Sequence, residues 1–324
     1  MSFLAIVFSL LLEQARPFKT GNRFHTAIHT WVGWVRHNFD AGAKGHSWWP
    51  WWVAVAIPAL VTFLIHWVLI STLGWPFALV WSLAVLYATV GVRQFSHHFT
   101  TIRDALVSGD ESLARLIFAQ WQQVDASQLA KQEIVRHLIE QSVIAAHRHV
   151  FGVISFYSIL AALGLGPAGA VIYRMTEYVT MVWKNQTKSS IDWTHDDTSL
   201  ENNAKKAWEK IDWLPARMTA FSFAVVGNFE DAVDSWRNSA HQFENINDGV
   251  VLAATSGAIN IRLGGQALHH LNDLPYDENK HEETTFYGRP ADFSHMSGLV
   301  GLVWRTVVMW VVLLALLTLA KLLG

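Results

Sequence analysis

The sequence predicts an all-α, polytopic membrane protein, and three observations lead to this fold class. Of the 324 residues, 52% are hydrophobic and only 15% are charged, whereas soluble globular chains carry about 25% charged residues. Seventeen residues are Trp, whose amphipathic ring favours the interface between acyl chains and water. Several apolar runs approach the roughly 20 residues that a spanning helix needs. These features predict a single domain with about four spanning helices, a broken re-entrant region and amphipathic cytoplasmic helices.

Four segments are predicted to enter the lipid bilayer. Residues 48–70 open with a Trp-Trp-Pro-Trp-Trp run, as expected of an aromatic belt before a spanning helix. Residues 77–92 return after a Leu-Gly-Trp-Pro turn signal, and residues 298–323 form the last span. Residues 2–12 are short for a span and predict a retained, partly inserted helix. Because the connection between residues 70 and 77 has no Lys or Arg, the positive-inside rule places both outer flanks of this hairpin in the cytoplasm.

Polar helices are predicted on both sides of this hairpin. Before it, Trp31, Trp34 and Val35 recur at helical spacing in a segment that carries Arg16, Lys19 and Lys44, which indicates an amphipathic helix lying on the membrane. After it, residues 93–150 combine regularly spaced charges with an apolar stripe, which predicts cytoplasmic helices. We expect a multi-pass protein of a bacterial inner membrane whose polar middle region faces the cytoplasm.

The apolar stretch of residues 151–173 is long enough to span the membrane but is interrupted. Gly164, Gly166, Pro167 and Gly169 fall in its middle, where they disfavour a continuous helix. Basic residues follow this stretch, and the positive-inside rule would keep them in the cytoplasm although a full crossing would place them outside. A re-entrant pair of half-helices resolves this conflict, because irregular backbone at membrane depth is tolerated where it lines a cavity. Residues 151–265 are therefore predicted to form a broken region that holds a binding site.

Several classes of function are disfavoured by composition. A net charge of −2 gives no electrostatic support for nucleic-acid binding. Without any Cys, the chain has no disulfide, thiolate nucleophile or cysteine-ligated metal. The 16 His show no ligand spacing such as HExxH, so no metal site is predicted. No catalytic residue is assigned, and the oligomeric state is left open.

Three strings in the centre of the chain carry a resemblance to a known family. They are GPAGAVIYR at residues 166–174, DWLPARMTAF at residues 212–221 and SGAINIRLGG at residues 256–265. In this order they resemble the CobD/CbiB family of membrane proteins of cobalamin biosynthesis and its sister family AmpE, over roughly residues 140–270. The resemblance implies an adenosylcobinamide-phosphate synthase-like activity, which joins aminopropanol or its phosphate to a corrinoid carboxylate as an amide, with nucleotide and Mg²⁺ as cofactors.

The resemblance also implies a set of residues that bind an anionic small molecule such as a corrinoid. Guanidinium groups and backbone N–H groups bind phosphates and carboxylates, and the matching positions are Arg174, Arg217, Arg262, Gly166, Gly169, Gly264 and Gly265. Glu177 and Asp212 join the set as the acids nearest these arginines, with a structural ion pair as the alternative. His147 and Arg148 lie where the family keeps functional polar residues, with snorkelling at the membrane interface as the alternative. We expect the three arginines to converge in one cavity that opens to the cytoplasm.

The chain departs from the family pattern at its acidic positions. A family Glu-Asn pair and a following Asp are replaced here by His147, Arg148 and Phe151, and an Asn-Thr-Leu-Asp run is replaced by residues 177–180. Loss of these carboxylates implies a protein that has diverged from the synthase or lost its activity. The alternative hypothesis is an AmpE-like, non-catalytic membrane sensor or signalling protein that binds an anionic envelope metabolite or a partner.

Overall fold

The helical fold class is confirmed by the structure, a computed structural model that describes residues 2–15, 23–39, 48–122, 125–127, 129–189, 195–265 and 288–323. Within these ranges the β-type pairing is confined to an isolated parallel bridge between Ile261 and Arg289. Three of the described helices are long and apolar enough to cross a membrane, namely Trp48–Thr72, Lys131–Ala162 and Ser294–Lys321. The chain is an all-α polytopic membrane protein.

Thirteen α-helices follow one another along the described residues. They are α1 (Ser2–Ala15), α2 (Arg23–Phe39), α3 (Trp48–Thr72), α4 (Trp75–Thr89), α5 (Val92–Val107), α6 (Glu111–Gln122), α7 (Lys131–Ala146), α8 (Gly152–Ala162), α9 (Ala168–Ser189), α10 (His195–Val226), α11 (Phe229–Ser239), α12 (Ile246–Ile259) and α13 (Ser294–Leu323). A π-helical turn, His147–Phe151, joins α7 to α8, and a 3₁₀ turn, Ala240–Gln242, follows α11. The helices form two compact units, unit 1 (Met1–Gly91 and His149–Pro215) and unit 2 (Val92–Arg148 and Ala216–Gly324).

The core of unit 1 lies between α2, α3 and α9. Val32 and Val35 of α2 are fully buried against apolar residues of α3 and α9, including Ala54 and Trp183. The indole N–H of Trp31 donates to the carbonyl of Ala54 at 3.3 Å, and a guanidinium N–H of Arg36 donates to the carbonyl of Trp183 at 3.1 Å. The predicted amphipathic helix is thus α2, packed on its neighbours through one face. Its location on a membrane surface stays a prediction, and Arg16, Lys19 and Lys44 lie outside the described residues.

The predicted hairpin of two apolar helices is present as α3 and α4. Gly74 has a φ of 89° and, with Pro76 after it, begins α4. The two helices are joined side by side by the indole N–H of Trp81, which donates to the carbonyl of Thr62 at 3.2 Å. Both α4 and α1 are apolar but shorter than a full span, so a complete crossing by either helix stays a prediction.

The predicted polar segment of residues 93–150 is helical, but its last helix extends beyond residue 150. Helix α7 continues through the π-helical turn into α8, which gives one helical stretch, Lys131–Ala162. A π-helical turn adds a residue to the helix and rotates the side chains that follow it. The sequence boundary at residue 150 followed the change from polar to apolar composition, and such a change does not interrupt backbone hydrogen bonding. The cytoplasmic position of this segment stays a prediction.

The predicted break in the stretch of residues 151–173 is present between α8 and α9. Gly164 has a φ of 85° and Gly166 a φ of 56°, conformations that favour glycine. Helices α8 and α9 then pack on each other, and Gly169 lies so close to the carbonyl of Phe156 that a Cβ atom would be 2.5 Å from its oxygen. The chain therefore turns back on itself at this break. Re-entry at membrane depth stays a prediction.

Unit 2 is organised around α12, which contacts α7, α11 and α13. Gly257 of α12 lies against the backbone of Asp231 in α11, where a Cβ atom would be 2.1 Å from the carbonyl oxygen. Helix α12 ends at Asn260, whose φ of 50° is left-handed. A non-helical segment of residues 261–265 follows, and the backbone N–H of Arg262 donates to the carbonyl of Arg289 at 2.6 Å.

Candidate functional site

Two arginines contact the first turn of α12 in unit 2. Asn245 caps this helix, with its side-chain oxygen accepting from the backbone N–H groups of Asn247 and Asp248. A guanidinium N–H of Arg148 donates to Oδ2 of Asp248 at 2.7 Å. A guanidinium N–H of Arg217 donates to Oδ1 of Asn247 at 2.9 Å. Arg148 comes from the π-helical turn and Arg217 from α10, so three separate helical segments build one polar site.

This polar site is only partly accessible to solvent. The side chains of Arg148 and Asp248 are 28% and 19% exposed, whereas Asn247 is buried. The second carboxylate oxygen of Asp248, Oδ1, is buried and accepts no hydrogen bond from the described part of the chain. Buried polar atoms in folded proteins nearly always have a partner, so such an atom calls for an explanation, such as a bound ligand. The site therefore offers two cationic donors and one unused anionic acceptor.

His147 anchors the turn that carries Arg148. Its imidazole is fully buried, and Nδ1 shares a hydrogen bond of 2.9 Å with the hydroxyl of Thr219 in α10. π-Helical turns are frequent at functional sites because they re-aim side chains. Here the turn directs two consecutive side chains to two different helices. His147 and Arg148 are thus held inside unit 2 rather than extended towards solvent.

A second polar cluster of unit 2 lies on α7, within the segment of residues 93–150 for which the sequence predicted cytoplasmic helices. The carboxylate of Glu140 accepts from the backbone N–H of Gly264 at 2.7 Å, and a guanidinium N–H of Arg136 donates to the carbonyl of Gly264 at 2.9 Å. The same guanidinium binds Glu140 at 2.8 Å and Glu133 at 2.6 Å. The i, i+3 and i, i+4 spacing of these charges was the available signal, but it did not reveal their burial.

Five of the predicted site residues lie in unit 1, and three of them, Arg174, Glu177 and Asp212, take part in two contacting pairs. Arg174 and Glu177 form an ion pair within α9. The hydroxyl of Tyr173 donates to Oδ1 of Asp212 at 2.7 Å, and both side chains are fully buried. Gly152 makes room for this tyrosine, because a Cβ atom there would be 2.1 Å from the hydroxyl oxygen. Gly166 lies in the break before α9, close to His66 of α3, and Gly169 lies in the first turn of α9.

The expected convergence of the arginines is not observed for the two that lie in unit 2. Arg217 contacts the first turn of α12, whereas Arg262 is exposed and follows the last turn. Helix α12 has 14 residues, which at 1.5 Å per residue separates its ends by about 20 Å. Gly264 and Gly265 lie beside Arg262 and near Arg136 rather than near Arg217. The sequence argument was wrong about one shared cavity because it did not include the length of α12.

The magnesium implied by the resemblance would need oxygen ligands from the chain. Among the residues that the structure describes, no group of three or more His, Asp or Glu side chains could hold a metal ion. Mg²⁺ requires octahedral oxygen coordination, often with one or two carboxylates and the phosphates of a substrate. Asp248 is a single carboxylate already paired with Arg148, so the described donors do not by themselves form a magnesium site.

Comparisons with known proteins found a matching family model and several similar proteins. The model of the CobD/Cbib protein family matches residues 206–300, which include Arg217, Asp248 and Arg262. The chain is 30% identical over 189 residues to the cobalamin biosynthesis protein CobD of Chromobacterium violaceum, covering 58% of this chain and 56% of that protein. It is 27% identical over an alignment of 326 residues to the CobD protein of Stutzerimonas stutzeri, covering 96% of both chains.

A third relative and the solved structures complete the comparison. The CobD protein of Leptospira interrogans is 25% identical over 212 residues, covering 63% of this chain and 60% of that protein. The alignments with the Chromobacterium and Leptospira proteins thus span less than two thirds of those relatives. No solved structure matches the chain significantly, and the AmpE-like alternative finds no support in these comparisons. The family match and the end-to-end similarity to a CobD protein support a relationship of this chain to the CobD/CbiB family.

Proposed function

We propose that this protein acts in cobalamin biosynthesis as an adenosylcobinamide-phosphate synthase-like enzyme of the membrane. Its substrates would be a corrinoid carboxylate, aminopropanol or its phosphate, and a nucleotide. The amide bond would form between the first two, and a phosphate from the nucleotide would carry away the carboxylate oxygen that is displaced. The observation that carries the proposal is the polar site at the first turn of α12, where Arg148 and Arg217 accompany the unused oxygen of Asp248. Two of these three side chains lie within the stretch that the family model matches.

Amide formation between a carboxylate and an amine requires binding of anionic groups and removal of protons from the amine, and this site has side chains for both. The carboxylate and any phosphate are anionic, and guanidinium groups bind such oxygens through short, charge-assisted hydrogen bonds. Arg148 and Arg217 would therefore hold and orient the anionic groups. The amine arrives as an ammonium ion, and Oδ1 of Asp248 is an available acceptor that would bind it and accept a proton. These three side chains would supply binding and proton transfer.

The ion pair between Arg148 and Asp248 also bears on the missing family carboxylates. The resemblance places a carboxylate of other family members on the turn where this chain has His147 and Arg148. Here the partner of Arg148 is a carboxylate from α12, at 2.7 Å. The negative charge that is absent from the turn is thereby supplied by a different helix.

We also propose a bacterial inner membrane location, with the polar middle region and its site on the cytoplasmic side. Lipid bilayer and an anionic, corrinoid-like ligand are the partners that follow from this proposal. The positive-inside rule supports it, because the short connection between α3 and α4 has no Lys or Arg. Cysteine scanning with an impermeant maleimide would test it, since the chain has no native Cys. Labelling of Asp234→Cys from the periplasmic side would contradict the proposed orientation of unit 2.

Complementation tests the proposed activity. A bacterial strain that lacks its own synthase should regain cobalamin-dependent growth and accumulate the amide product, measured by mass spectrometry, when it expresses this chain. Asp248→Asn should abolish both readouts because it removes the anionic acceptor. Asp234→Asn is the matched control, because Asp234 is an exposed acid of α11 in the same unit. Failure of the well-expressed wild-type chain to form product would overturn the proposed function.

A further inference from the structure

The polar cluster on α7 binds backbone groups of the segment of residues 261–265. Glu140 and Arg136 together bind both the N–H and the carbonyl of Gly264, at 2.7 and 2.9 Å. A neighbouring β-strand would normally bind a residue's N–H and carbonyl in this way. Here two side chains bind them instead. The glycines at residues 264 and 265 have φ angles of 89° and 121°, so the backbone at this point adopts a conformation that few other residues tolerate.

The other groups of the cluster complete its hydrogen bonding. Oε2 of Glu140 lies 3.0 Å from Nδ1 of His137, and a guanidinium nitrogen of Arg136 lies 2.9 Å from Nε2 of the same imidazole. Glu133 occupies the remaining side of the guanidinium and is 42% exposed, whereas the Arg136 and Glu140 side chains are 6% and 12% exposed. A buried ionic network whose members are all paired is rigid, and it loses much of its stability when one member is removed.

The segment that this network holds carries Arg262 at its surface. Ile261 and Leu263 are buried, and Arg262 between them is exposed. Its backbone is held from the other side by the carbonyl of Arg289, at 2.6 Å. The direction of the Arg262 side chain is therefore set by an anchor on either side of the segment, one from α7 and one from residue 289.

We propose that Glu140 and Arg136 are positioning residues that hold the segment of residues 261–265 in place and thereby orient Arg262 for an anionic ligand. Their own charges neutralise each other and bind backbone, so they do not bind the ligand. Arg262 lies at the end of α12 opposite Arg217, so it would bind a second anionic group of a ligand that extends beyond the polar site. This part rests on the proposed function, whereas the anchoring of the segment does not. The two parts therefore have separate readouts.

A cysteine reporter tests the anchoring, because the chain has no native Cys. Leu263→Cys places a thiol at a position that is 1% exposed, and its reaction with N-ethylmaleimide reports local opening of the segment. Adding Glu140→Ala should raise the labelling rate by about tenfold or more, a factor that corresponds to about 1.4 kcal/mol. Adding Glu140→Gln should restore protection, because an amide oxygen still accepts from the N–H of Gly264.

Two controls separate this effect from general unfolding. Glu133→Gln removes a carboxylate of the same network that does not touch Gly264, so it should leave the labelling rate nearly unchanged. A second reporter, Val251→Cys, lies fully buried in α12 and should stay protected in the Glu140→Ala background. Equal labelling of both reporters, or no increase at residue 263, would overturn the anchoring proposal.

The proposed orientation of Arg262 is tested by kinetic measurements of amide formation. Glu140→Ala should raise the apparent KM for the anionic substrate several-fold with little change in kcat, and Glu140→Gln should restore the KM. An unchanged KM beside increased labelling would overturn the orientation of Arg262 while leaving the anchor established. Absence of product from the wild-type chain would instead count against the proposed function alone.

Discussion

Arg148 and Asp248 are 100 residues apart in the sequence and form an ion pair of 2.7 Å in unit 2. The arginine belongs to a π-helical turn and the carboxylate to the first turn of α12. Their contact creates the polar site, because it brings a cation to an acid whose second oxygen is still available. It also makes the site dependent on the packing of α7 against α12.

The strength of this ion pair can be measured by a double-mutant cycle. Arg148→Ala and Asp248→Ala should each lower the melting temperature in detergent, and the double variant should lose less than the sum of the two. We expect a coupling energy of about 1–2 kcal/mol, within the range for residues in direct contact. The exposed pair Arg103 and Asp104 is the control, where coupling should be near zero. Additive losses at Arg148 and Asp248 would show that the ion pair does not form.

The contact between Gly166 and His66 gives a prediction that separates crowding from backbone strain. Gly166→Ala adds a methyl group about where the imidazole lies, at 2.5 Å, and also strains a backbone with a φ of 56°. Gly164→Ala is the matched control, because its φ is 85° and no atom lies within 4 Å of a Cβ there. The control should cost about 1–2 kcal/mol from the left-handed conformation alone, and Gly166→Ala should cost more.

A second change identifies His66 as the crowding group. His66→Ala should recover part of the loss caused by Gly166→Ala and none of the loss caused by Gly164→Ala, as measured by melting temperature. Equal losses for the two glycine variants, with no recovery, would mean that the imidazole does not pack on the break.

The space beside Tyr173 depends on Gly152. Gly152→Ala places a Cβ atom 2.1 Å from the tyrosine hydroxyl and should destabilise the protein by about 1–3 kcal/mol, the usual cost of overpacking. Gly298→Ala is the control in α13, where no neighbouring atom lies within 4 Å. It should be neutral or slightly stabilising because Ala favours helix. Equal shifts in the melting temperatures of the two variants would contradict the close contact between Gly152 and Tyr173.

The hydrogen bond between Tyr173 and Asp212 should contribute measurably to unit 1. Tyr173→Phe removes the hydroxyl that donates to the buried carboxylate at 2.7 Å. The expected loss is about 1.5–3 kcal/mol, the range for hydrogen bonds to charged groups. Tyr178→Phe in the same helix is the control, because that ring is only half-buried. A loss no larger than that of the control would indicate that the Tyr173 hydroxyl is not bound to Asp212.

Some parts of the site were predictable because they depend on neighbouring residues alone. The break between α8 and α9 follows from Gly164, Gly166 and Pro167, whose conformational preferences act within a few residues. The hairpin of α3 and α4 follows from Gly74 and Pro76 in the same way. Arg148 and Arg217 were identified by resemblance to a family, and both lie at the polar site.

Other parts were not predictable because they depend on which helices meet. Arg136 and Glu140 have the spacing of an ordinary exposed ion pair, and only the packing of residues 261–265 on α7 makes them buried. Asp248 was not selected from the sequence at all, since its partner lies 100 residues away. The expected cavity shared by the arginines was wrong for the complementary reason, because Arg217 contacts the first turn of α12 and Arg262 follows its last turn.

The apolar segments, the turns between them and the helical class were determined by the amino-acid sequence itself, because transfer into lipid and backbone preference are properties of short stretches of chain. The choice of partner for each buried charge was decided only by the tertiary structure. A charge that leaves water requires an opposite charge or a hydrogen bond within a few ångströms, and that partner is set by helix packing. The partners of Arg148, Arg136 and Glu140 are set by the packing of the π-helical turn, α7 and α12.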